Sequence, residues 1–325
     1  MTLLEVENLT TRIATRGGAF NAVDGVSFAL DRGEALGLVG ESGSGKSMTC
    51  LSLVRLLPKR AAQIVDGSVR LDGQDLTALP ERSLRRLRGS EIAMILQDPL
   101  LSLNPVFTIG SQVAEAVRLE RPRPRRDEVR ARTIAELARV HIPSPEQRLG
   151  SYPFQFSGGM RQRVAAAISI ARGPKLLIAD EPTTALDVTT QRQFLDLLTE
   201  LRREDEMALL LVTHDLALVR ETCDRVAIMY AGRIVEHGPV GRVFDAPSHP
   251  YTRALLESIP SLTGARRARL TQIAGEPPDM HELPVGCRFA PRCPFADERG
   301  RASYPPSFAV PGGGEAACWL QGDRG

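Results

Sequence analysis

The chain has 325 residues, more than one average domain of about 100 to 200 residues, so we expect one large domain with an appendage. Hydrophobic residues make up 42% and charged residues 25% of the sequence, a mixture typical of a globular protein with a sizeable core. The net charge is +2, and the aromatic residues are one Trp, four Tyr and ten Phe. This composition does not favour a protein that binds nucleic acid mainly through bulk charge or base stacking.

The sequence predicts a protein of a reducing compartment. Its five cysteines are an odd number, and Glu5 and Glu7 occupy the region where a secretory signal needs a basic patch, so we expect no export. The best apolar run, Met207–Val212, is far shorter than the roughly 18 residues of a membrane-spanning helix. Cys50 and Cys223 have apolar neighbours, and we expect them to be buried thiols without chemistry.

Short apolar segments alternate with helical patterns, which predicts an α/β fold with a largely parallel sheet. Alternating patterns at 3–6 and 26–30 predict an antiparallel β portion before the first buried strand. The predicted buried strands are Leu36–Val39, Ile92–Leu96, Leu176–Ala179 and Ala208–Val212. Because ligands bind at the carboxyl ends of such strands, the residues that follow them are the candidates for function.

The middle of the chain predicts a small helical subdomain inserted into the α/β core, at about 98–156. The pattern is helical from Thr108 to His141, with a break at the proline- and arginine-rich residues 121–126. The basic residues of this break are typical of a solvated face.

Prolines crowd the chain after Phe244, and helical periods become few. We therefore place a domain boundary near Ser248, with a large domain at 1–247 and a loop-rich extension at 248–325. An extension of this size would need a staple or a docking surface, because it is too small to rely on a large core.

A glycine-rich sequence follows the first buried strand. It reads Gly40-Glu41-Ser42-Gly43-Ser44-Gly45-Lys46-Ser47 and continues into an apolar helix predicted at Met48–Leu57. A strand, this spacing and a helix are the context of a phosphate-binding loop, in which backbone N–H groups surround phosphates and Lys46 reaches them. The Ser47 hydroxyl suits Mg²⁺. A glycine-rich turn without a ligand is the alternative reading.

Polar residues follow the other predicted strands. Asp180 and Glu181 end an apolar strand, as in a Walker B motif, with Asp180 beside a metal ion and Glu181 as a candidate base. Gln97 and His214 follow two further strands, so we expect them at the same sheet edge. Taken singly, each also fits a structural role, such as a turn residue or a hydrogen-bonded histidine.

A second glycine-containing sequence opens an alanine-rich helix that we expect to end at Ala171. It reads Phe156-Ser157-Gly158-Gly159-Met160-Arg161-Gln162-Arg163, with Ser157 as a suitable N-cap. An ordinary cap is one interpretation, and a second anion site is the other. One ATP does not easily need two such sites in one subunit, so the second predicts contact with a partner's nucleotide.

In this order, the motifs resemble those of the ATP-binding subunits of ABC transporters: GESGSGKS, Gln97, FSGGMRQR, LLIADE, the Ala185-Leu186-Asp187 turn and His214. The resemblance implies a P-loop NTPase fold of the ABC type that hydrolyses ATP with Mg²⁺. It also implies a head-to-tail dimer, with each ATP between the phosphate loop of one subunit and Ser157–Met160 of the other, and Asp187 nearby. Dimer closure would drive transport, and hydrolysis would reset it.

Finer features are similar to the dipeptide, oligopeptide and nickel importer group. They are QDPLLSLNP (97–105), SHPYT (248–252), GCRF (286–289), PRCP (291–294) and ACWL (317–320). The resemblance implies a peripheral protein at the cytoplasmic face of the inner membrane, with two permease subunits, a second ATPase subunit and an extracytoplasmic solute-binding protein as partners, and no nucleic acid. Residues Pro99–Gln112 are the candidates for permease contact. Peptides are the expected cargo, with nickel or another small solute as alternatives.

The cysteines near the carboxyl end depart from the family pattern. Related extensions can hold an iron-sulfur cluster on four cysteines, whereas this chain offers Cys287, Cys293 and Cys318, and the expected fourth position falls near Gly300. A four-thiolate cluster therefore lacks one ligand. A water, another side chain or the absence of a cluster are the open alternatives.

The family pattern also implies an aromatic residue that stacks on adenine upstream of the phosphate loop. Ile13 and Phe20 are the candidate positions, and Phe20 is our choice. Packing under the first hairpin is the structural alternative for its ring.

The resemblance assigns roles to the candidate residues. Ser47 and Asp180 would organise Mg²⁺, and Gln97 would sense the metal and the partner. Glu181 would polarise the attacking water, while His214 would hold it in line with the γ-phosphate. A soluble ABC-type ATPase without a permease and a non-catalytic regulatory subunit are the rival classes. The importer-like tail argues against the first, and the presence of Glu181 and His214 against the second. Whether the dimer is a homodimer or a heterodimer stays open.

Overall fold

A computed structural model describes residues 1–97, 102–119, 124–259 and 273–322. The strands are β1 (Thr2–Thr15), β2 (Gly18–Asp31), β3 (Ala35–Val39), β4 (Ala62–Leu71), β5 (Gln74–Asp75), β6 (Ile92–Ile95), β7 (Leu176–Asp180), β8 (Ala208–Thr213), β9 (Arg225–Tyr230), β10 (Arg233–Pro239), β11 (Phe308–Ala309) and β12 (Glu315–Ala316). The helices are α1 (Lys46–Leu53), α2 (Glu81–Leu87), α3 (Ile109–Arg118), α4 (Arg126–Arg139), α5 (Pro145–Arg148), α6 (Gly158–Ile170), α7 (Val188–Glu204), α8 (Leu216–Thr222), α9 (Val240–Asp245), α10 (Pro250–Glu257), α11 (Glu298–Ala302) and α12 (Trp319–Gly322).

The chain forms two compact units. Unit 1 consists of Met1, 31–35 and 78–212, and unit 2 of 2–30, 36–77 and 213–325. The predicted boundary near Ser248 stays a prediction.

Unit 1 contains parallel strands in the order β8-β7-β6. Ile92 pairs with Leu176, and Asp180 pairs with Val212. Every residue of β7 and β8 is buried, because strands covered on both faces are continuous apolar runs. The sequence prediction of these strands is confirmed, although β6 ends at Ile95, one residue before the exposed Leu96.

The helical insertion predicted in unit 1 is present as α3, α4 and α5. Thr108 caps α3 by accepting a hydrogen bond from the Ser111 N–H at 3.3 Å. Three residues of the predicted break, 121–123, and the motif residues 98–101, including the start of the proposed permease contact, lie outside the described residues.

Unit 2 contains an antiparallel sheet in the order β2-β1-β4-β5, which confirms the predicted antiparallel portion. The β1–β4 register joins Leu4 to Leu71 and Ile13 to Ala62. The sequence pattern did not predict β4, because its alternation is interrupted at Gly67. This glycine has a φ of +85°, and a Cβ there would lie 2.5 Å from the Asn8 backbone, where the ladder shifts.

The second sheet portion of unit 2 has the order β11-β12-β10-β9-β3. Strand β3 is fully buried and runs parallel to β9, with Leu38 paired to Ala227. Strands β11 and β12 come from the predicted extension and pair antiparallel at the edge, where Ala316 meets Glu236. Within unit 2, edge pairing thus gives the loop-rich segment a docking surface.

Helix α1 differs from its predicted bounds of Met48–Leu57. It begins at Lys46, because the glycine-rich loop turns directly into the helix at Gly45. It ends at Leu53, and Arg55 has a φ of +51°, a left-handed conformation that terminates helices. The described residues contain no helix that is both long and apolar enough to cross a membrane.

Candidate nucleotide site

Two glycines of the phosphate loop in unit 2 lie where no side chain fits. A Cβ on Gly40 would lie 2.1 Å from the Met229 carbonyl oxygen, and a Cβ on Gly45, whose φ is +106°, would lie 2.3 Å from that of Ala22. The loop backbone is therefore packed tightly against β9 and β2. Gly43 also has a positive φ, of +77°.

Polar groups of the phosphate loop are arranged around its own backbone. Lys46 Nζ donates hydrogen bonds to the carbonyls of Gly40 at 2.8 Å and Glu41 at 3.0 Å. Ser44 Oγ is buried without a hydrogen-bond partner among the described residues. Such an atom indicates a missing ligand contact. Ser42 is exposed, and Ser47 and Met48 are half-buried in and beside the first turn of α1.

Phe20, the predicted adenine-stacking residue, lies on β2 in unit 2 and is half-buried. Its ring contacts the His281 imidazole edge-on, with 4.8 Å between centroids. Thr15 Oγ1 also lies 3.5 Å from His281 Nε2. The extension therefore reaches this aromatic ring, and the role of Phe20 toward adenine stays a prediction.

Unit 1 brings Gln97 and Glu181 together. Gln97 Nε2 donates to Glu181 Oε2 at 3.1 Å, and Thr184 Oγ1 donates to the same oxygen at 3.1 Å. Glu181 has a φ of +43°, a strained conformation for this residue type, and its N–H donates to the Val212 carbonyl at 2.8 Å. The carboxylate thus accepts hydrogen bonds from an amide and a hydroxyl, and its backbone is fixed by β8.

Asp180 and His214 contrast in exposure. Asp180 ends β7 and is 5% exposed, whereas His214 directly follows β8 and is exposed. Both positions are carboxyl ends of strands, as predicted. The Ser47 hydroxyl, the Asp180 carboxylate and the Gln97 amide oxygen are hard oxygen donors of the kind Mg²⁺ prefers.

The second glycine-containing sequence lies beside the Ala185-Leu186-Asp187 turn within unit 1. Ser157 caps α6 by accepting from the Met160 N–H at 3.3 Å, which confirms the predicted cap. A Cβ on Gly159 would lie 2.3 Å from Thr190 Cγ2, and one on Gly158 would lie 3.6 Å from Leu186. The exposed amino end of α6 therefore packs against the beginning of α7.

Asp187 caps α7. Its carboxylate accepts from the Thr190 N–H at 3.0 Å and the Thr190 hydroxyl at 2.6 Å. These two hydrogen bonds lower the pKa of Asp187. The side chain is exposed, so an ionised carboxylate is presented at the surface beside the α6 amino end.

The three predicted thiol ligands of the extension line one pocket with Gly300, Asp297 and Trp319. Burial raises the pKa of Cys287 and Cys293, and that of Cys318 to about 11, which favours the protonated thiols. Within the described ranges, no group of three or more His, Cys, Asp or Glu side chains is placed to hold a metal ion. The three thiols therefore do not fit a four-thiolate cluster in this arrangement.

Some contacts of the candidate site were not predicted from the sequence. Thr184 holds Glu181, and the Tyr251 hydroxyl accepts a hydrogen bond from the Glu41 N–H at 2.9 Å. The Arg292 guanidinium pairs with the Glu41 carboxylate. Tyr251 lies in the motif SHPYT and Arg292 in the motif PRCP. Their place in motifs that resemble the importer group was the signal that the sequence offered.

Comparison with known proteins agrees with these motifs. A family model described as ABC transporter matches residues 23–184, and one described as oligopeptide/dipeptide transporter, C-terminal region, matches residues 235–299. A protein of Sinorhizobium fredii, provisionally named a peptide ABC transporter ATP-binding protein, is 49% identical over 98% of this chain and 94% of its own. A Brucella abortus protein, provisionally named a peptide import ATP-binding protein, is 51% identical over 97% and 94%.

Solved structures agree as well. The dimeric ATP-binding cassette MJ0796, bound to ADP and Pi, matches with a TM-score of 0.65 and 26% identity over 73% of this chain and 98% of its own. The fold and these matches define an ATP-binding cassette ATPase. The chain belongs to the ATP-binding proteins of the ABC transporter family and carries the carboxyl-terminal region typical of oligopeptide and dipeptide transporters.

Proposed function

We propose that this protein hydrolyses ATP to power the import of di- or oligopeptides through a membrane permease. The observation that carries the proposal is the presence, in one chain, of the nucleotide motifs and the oligopeptide/dipeptide transporter region. The names of relatives that align over nearly the whole chain support the same cargo class.

The phosphates of ATP bind the loop at Gly40–Ser47. Its N–H groups and the Lys46 ammonium supply positive potential, and the unpartnered Ser44 Oγ supplies a further polar contact. On nucleotide binding, Lys46 Nζ exchanges its contacts with the Gly40 and Glu41 carbonyls for phosphate oxygens. Phe20 contacts the adenine.

Ser47, Asp180 and Gln97 would hold Mg²⁺, and this donor set of neutral and anionic oxygens fits a hard cation. When bound, the ion neutralises charge on the phosphates. Asp180 lies at the carboxyl end of β7 with only 5% of its surface exposed, which suits a metal ligand held in a fixed position.

Glu181 takes a proton from the attacking water while His214 holds the γ-phosphate end in position. Thr184 orients the Glu181 carboxylate through its hydroxyl hydrogen bond. Gln97 also donates a hydrogen bond to Glu181. When Gln97 moves to contact the metal ion or a partner, this hydrogen bond changes and so does the position of the Glu181 carboxylate. We propose that this is how metal and partner are sensed.

A second ATPase subunit, either another copy or a paralogue, completes each nucleotide pocket. Support comes from the α6 amino end, where the polar side chains of Ser157 and Asp187 are both exposed. The membrane permease contacts the segment that begins near Pro99, and the protein thereby works at the cytoplasmic face of the membrane with an external solute-binding protein.

The test is peptide uptake in the source cell after deletion of the gene. We expect loss of labelled dipeptide or oligopeptide uptake, unchanged uptake of the constituent amino acids, and rescue by the wild type but not by Glu181→Gln. Unchanged peptide uptake in the deletion strain, with no other peptide uptake route active, would contradict the cargo.

Dimerisation is tested separately on the purified protein. We expect ATPase activity per subunit to rise with protein concentration and to be lost in a Ser157→Arg variant, because a bulky cation replaces the cap at the shared pocket. Full activity of this variant at a monomeric concentration would contradict the shared site.

A further inference from the structure

The extension places a buried arginine on the phosphate loop. Arg292 ends a short 3₁₀ turn at Ala290–Arg292, and its Nη1 and Nη2 donate to the two Glu41 carboxylate oxygens at 2.7 and 3.0 Å. These residues are 251 positions apart in the chain. The side chains of Arg292 and Glu41 are 4% and 25% exposed, so the bidentate pair is largely shielded from solvent.

Unit 2 holds the Arg292 guanidinium from several directions. Its Nε donates to the Ala274 carbonyl at 2.9 Å, and Nη1 lies 3.3 Å from the Tyr230 hydroxyl. The Tyr230 and Phe289 rings flank it, with the guanidinium carbon 5.8 and 5.9 Å from their centroids. Burial lowers the pKa of Arg292, but the hydrogen bonds to Glu41 and Tyr230 outweigh it, so the pKa is raised.

Glu41 is in turn fixed by three separate groups. Arg292 binds its carboxylate, the Tyr251 hydroxyl accepts from its N–H at 2.9 Å, and Lys46 Nζ donates to its carbonyl at 3.0 Å. The peptide group and the side chain of this one loop residue are therefore all oriented. Two of these three contacts come from residues beyond Ser248.

An acidic residue in a loop that binds polyphosphate is electrostatically unfavourable unless its charge is neutralised. The Glu41 side chain is 25% exposed, so water screens it only in part. Arg292 supplies the compensating charge and, because its fork geometry matches a carboxylate, also restricts where Glu41 lies.

Building on the ATP site proposed above, the geometry points to Arg292 as a positioning residue for nucleotide binding. It neutralises Glu41 and fixes the phosphate loop, so the affinity for ATP depends on the carboxyl-terminal extension. The extension thereby contributes to the nucleotide site in addition to any role in partner contact.

The test is equilibrium binding of Mg²⁺-ATP to the purified full-length protein, which needs neither permease nor peptide. We expect Arg292→Ala to raise the Kd about tenfold, because a misplaced and negatively charged loop binds phosphates less well. The matched control is Arg139→Ala in unit 1, whose Nη2 contacts both Asp205 oxygens at 2.9 and 2.8 Å. We expect this control to keep its Kd within twofold of the wild type.

Removing the Glu41 charge separates this role from general packing. We expect Glu41→Gln/Arg292→Ala to recover most of the affinity lost in Arg292→Ala, because the double variant leaves no uncompensated carboxylate in the loop. High salt should reduce the difference in Kd between the wild type and Arg292→Ala, because it screens the charge of Glu41. If Arg292→Ala does not fold, Arg292→Lys, which keeps the charge without the fork, should raise the Kd by a smaller factor.

Two results would overturn the inference: a Kd within twofold of wild type for Arg292→Ala, or a double variant that binds as weakly as Arg292→Ala. Lys46→Ala distinguishes a failure of the inference from a failure of the proposed site. If Lys46→Ala binds Mg²⁺-ATP like the wild type, the phosphate site itself is wrong. If it loses binding while Arg292→Ala does not, only the role of Arg292 is wrong.

Discussion

The phosphate loop of unit 2 and the carboxyl end of β7 in unit 1 hold their functional groups by different contacts. The phosphate loop is fixed by tightly packed glycine backbone at Gly40 and Gly45 and by a shielded ion pair at Glu41. At the end of β7, the Glu181 backbone is fixed by the bond to Val212, and its half-buried carboxylate accepts hydrogen bonds from the neutral groups of Gln97 and Thr184.

This difference agrees with the roles proposed for the two regions. A phosphate-binding loop gains affinity when its geometry exists before the ligand arrives, because less conformational entropy is lost on binding. A base that acts only when the metal and the partner are in place needs contacts that can be exchanged, and neutral hydrogen bonds are weak enough for that. Variants of each region test this comparison.

Glu181→Gln tests whether the end of β7 serves chemistry rather than binding. We expect kcat for ATP hydrolysis to fall roughly a thousandfold, since the amide cannot accept the proton of water. The Kd for Mg²⁺-ATP should stay within threefold, measured by equilibrium binding. Glu200→Gln, an exposed carboxylate paired with His141, is the control and should retain kcat. Unchanged hydrolysis in Glu181→Gln would remove Glu181 from the role of base.

Gly40→Ala tests whether the phosphate loop depends on its packed backbone. The new Cβ would lie 2.1 Å from the Met229 carbonyl oxygen, so the loop has to move. We expect Mg²⁺-ATP affinity to fall about a hundredfold, because displacement of this size misplaces the N–H groups. Gly241→Ala, which meets no atom within 4 Å, should bind normally. Equal affinity in both variants would contradict a preformed loop.

Thr184→Val tests the hydrogen bond from the Thr184 hydroxyl to the Glu181 carboxylate. Loss of a neutral hydrogen bond costs about 0.5 to 1.5 kcal/mol, so we expect kcat to fall two- to tenfold with no change in the Kd for Mg²⁺-ATP. Thr199→Val removes a hydroxyl that bonds only the Leu195 carbonyl within α7 and serves as the control. A raised Kd for Mg²⁺-ATP with an unchanged kcat would contradict this role and indicate that Thr184 contributes to nucleotide binding.

His249 contacts Tyr251, whose hydroxyl group binds the phosphate loop, and its burial should make the stability of the protein depend on pH. Its Nδ1 accepts from the Tyr251 N–H at 3.0 Å, and burial lowers the pKa of His249 to about 3. Between that value and the ordinary pKa of about 6.5, the unfolded chain binds a proton that the folded protein does not. The contribution of a neutral His249 to the free energy of unfolding is therefore fully present above pH 6.5 and is lost as the pH falls toward 3.

Between pH 7 and pH 5.5 this histidine should lower the free energy of unfolding by roughly 1 kcal/mol, measured by urea denaturation. His249→Asn keeps an N-cap acceptor without titrating in this range. We expect its stability curve to be flatter by that amount. Parallel curves for the variant and the wild type would contradict a neutral, buried His249.

Much of the fold was predictable from the sequence because its signals are local. The buried strands β3, β7 and β8 are continuous apolar runs, and the caps at Ser157 and Thr108 precede helical patterns. Strand β4 was missed because Gly67 and the shifted ladder interrupt its alternation. That irregularity is explained only by the facing strand.

The candidate site also contains residues that could be predicted from the sequence and contacts that could not. Gly40–Ser47, Asp180, Glu181 and Ser157 could be recognised because chemistry requires particular residue types at short spacings. The contact between Gln97 and Glu181 could not be recognised, since the two residues are 84 positions apart and the amide could have faced many groups. Phe20 was chosen as an aromatic before the loop, but nothing in the sequence placed His281 against its ring.

The sequence by itself determined the ABC-type motifs, the principal buried strands and the loop-rich character of the carboxyl-terminal segment. The reason is that each depends on neighbouring residues and on backbone rules that act over a few positions. Only the tertiary structure decided that Arg292 binds Glu41, that Tyr251 accepts its N–H and that Gln97 reaches Glu181. Contacts between residues far apart in sequence arise from the packing of whole elements, and no local pattern encodes them.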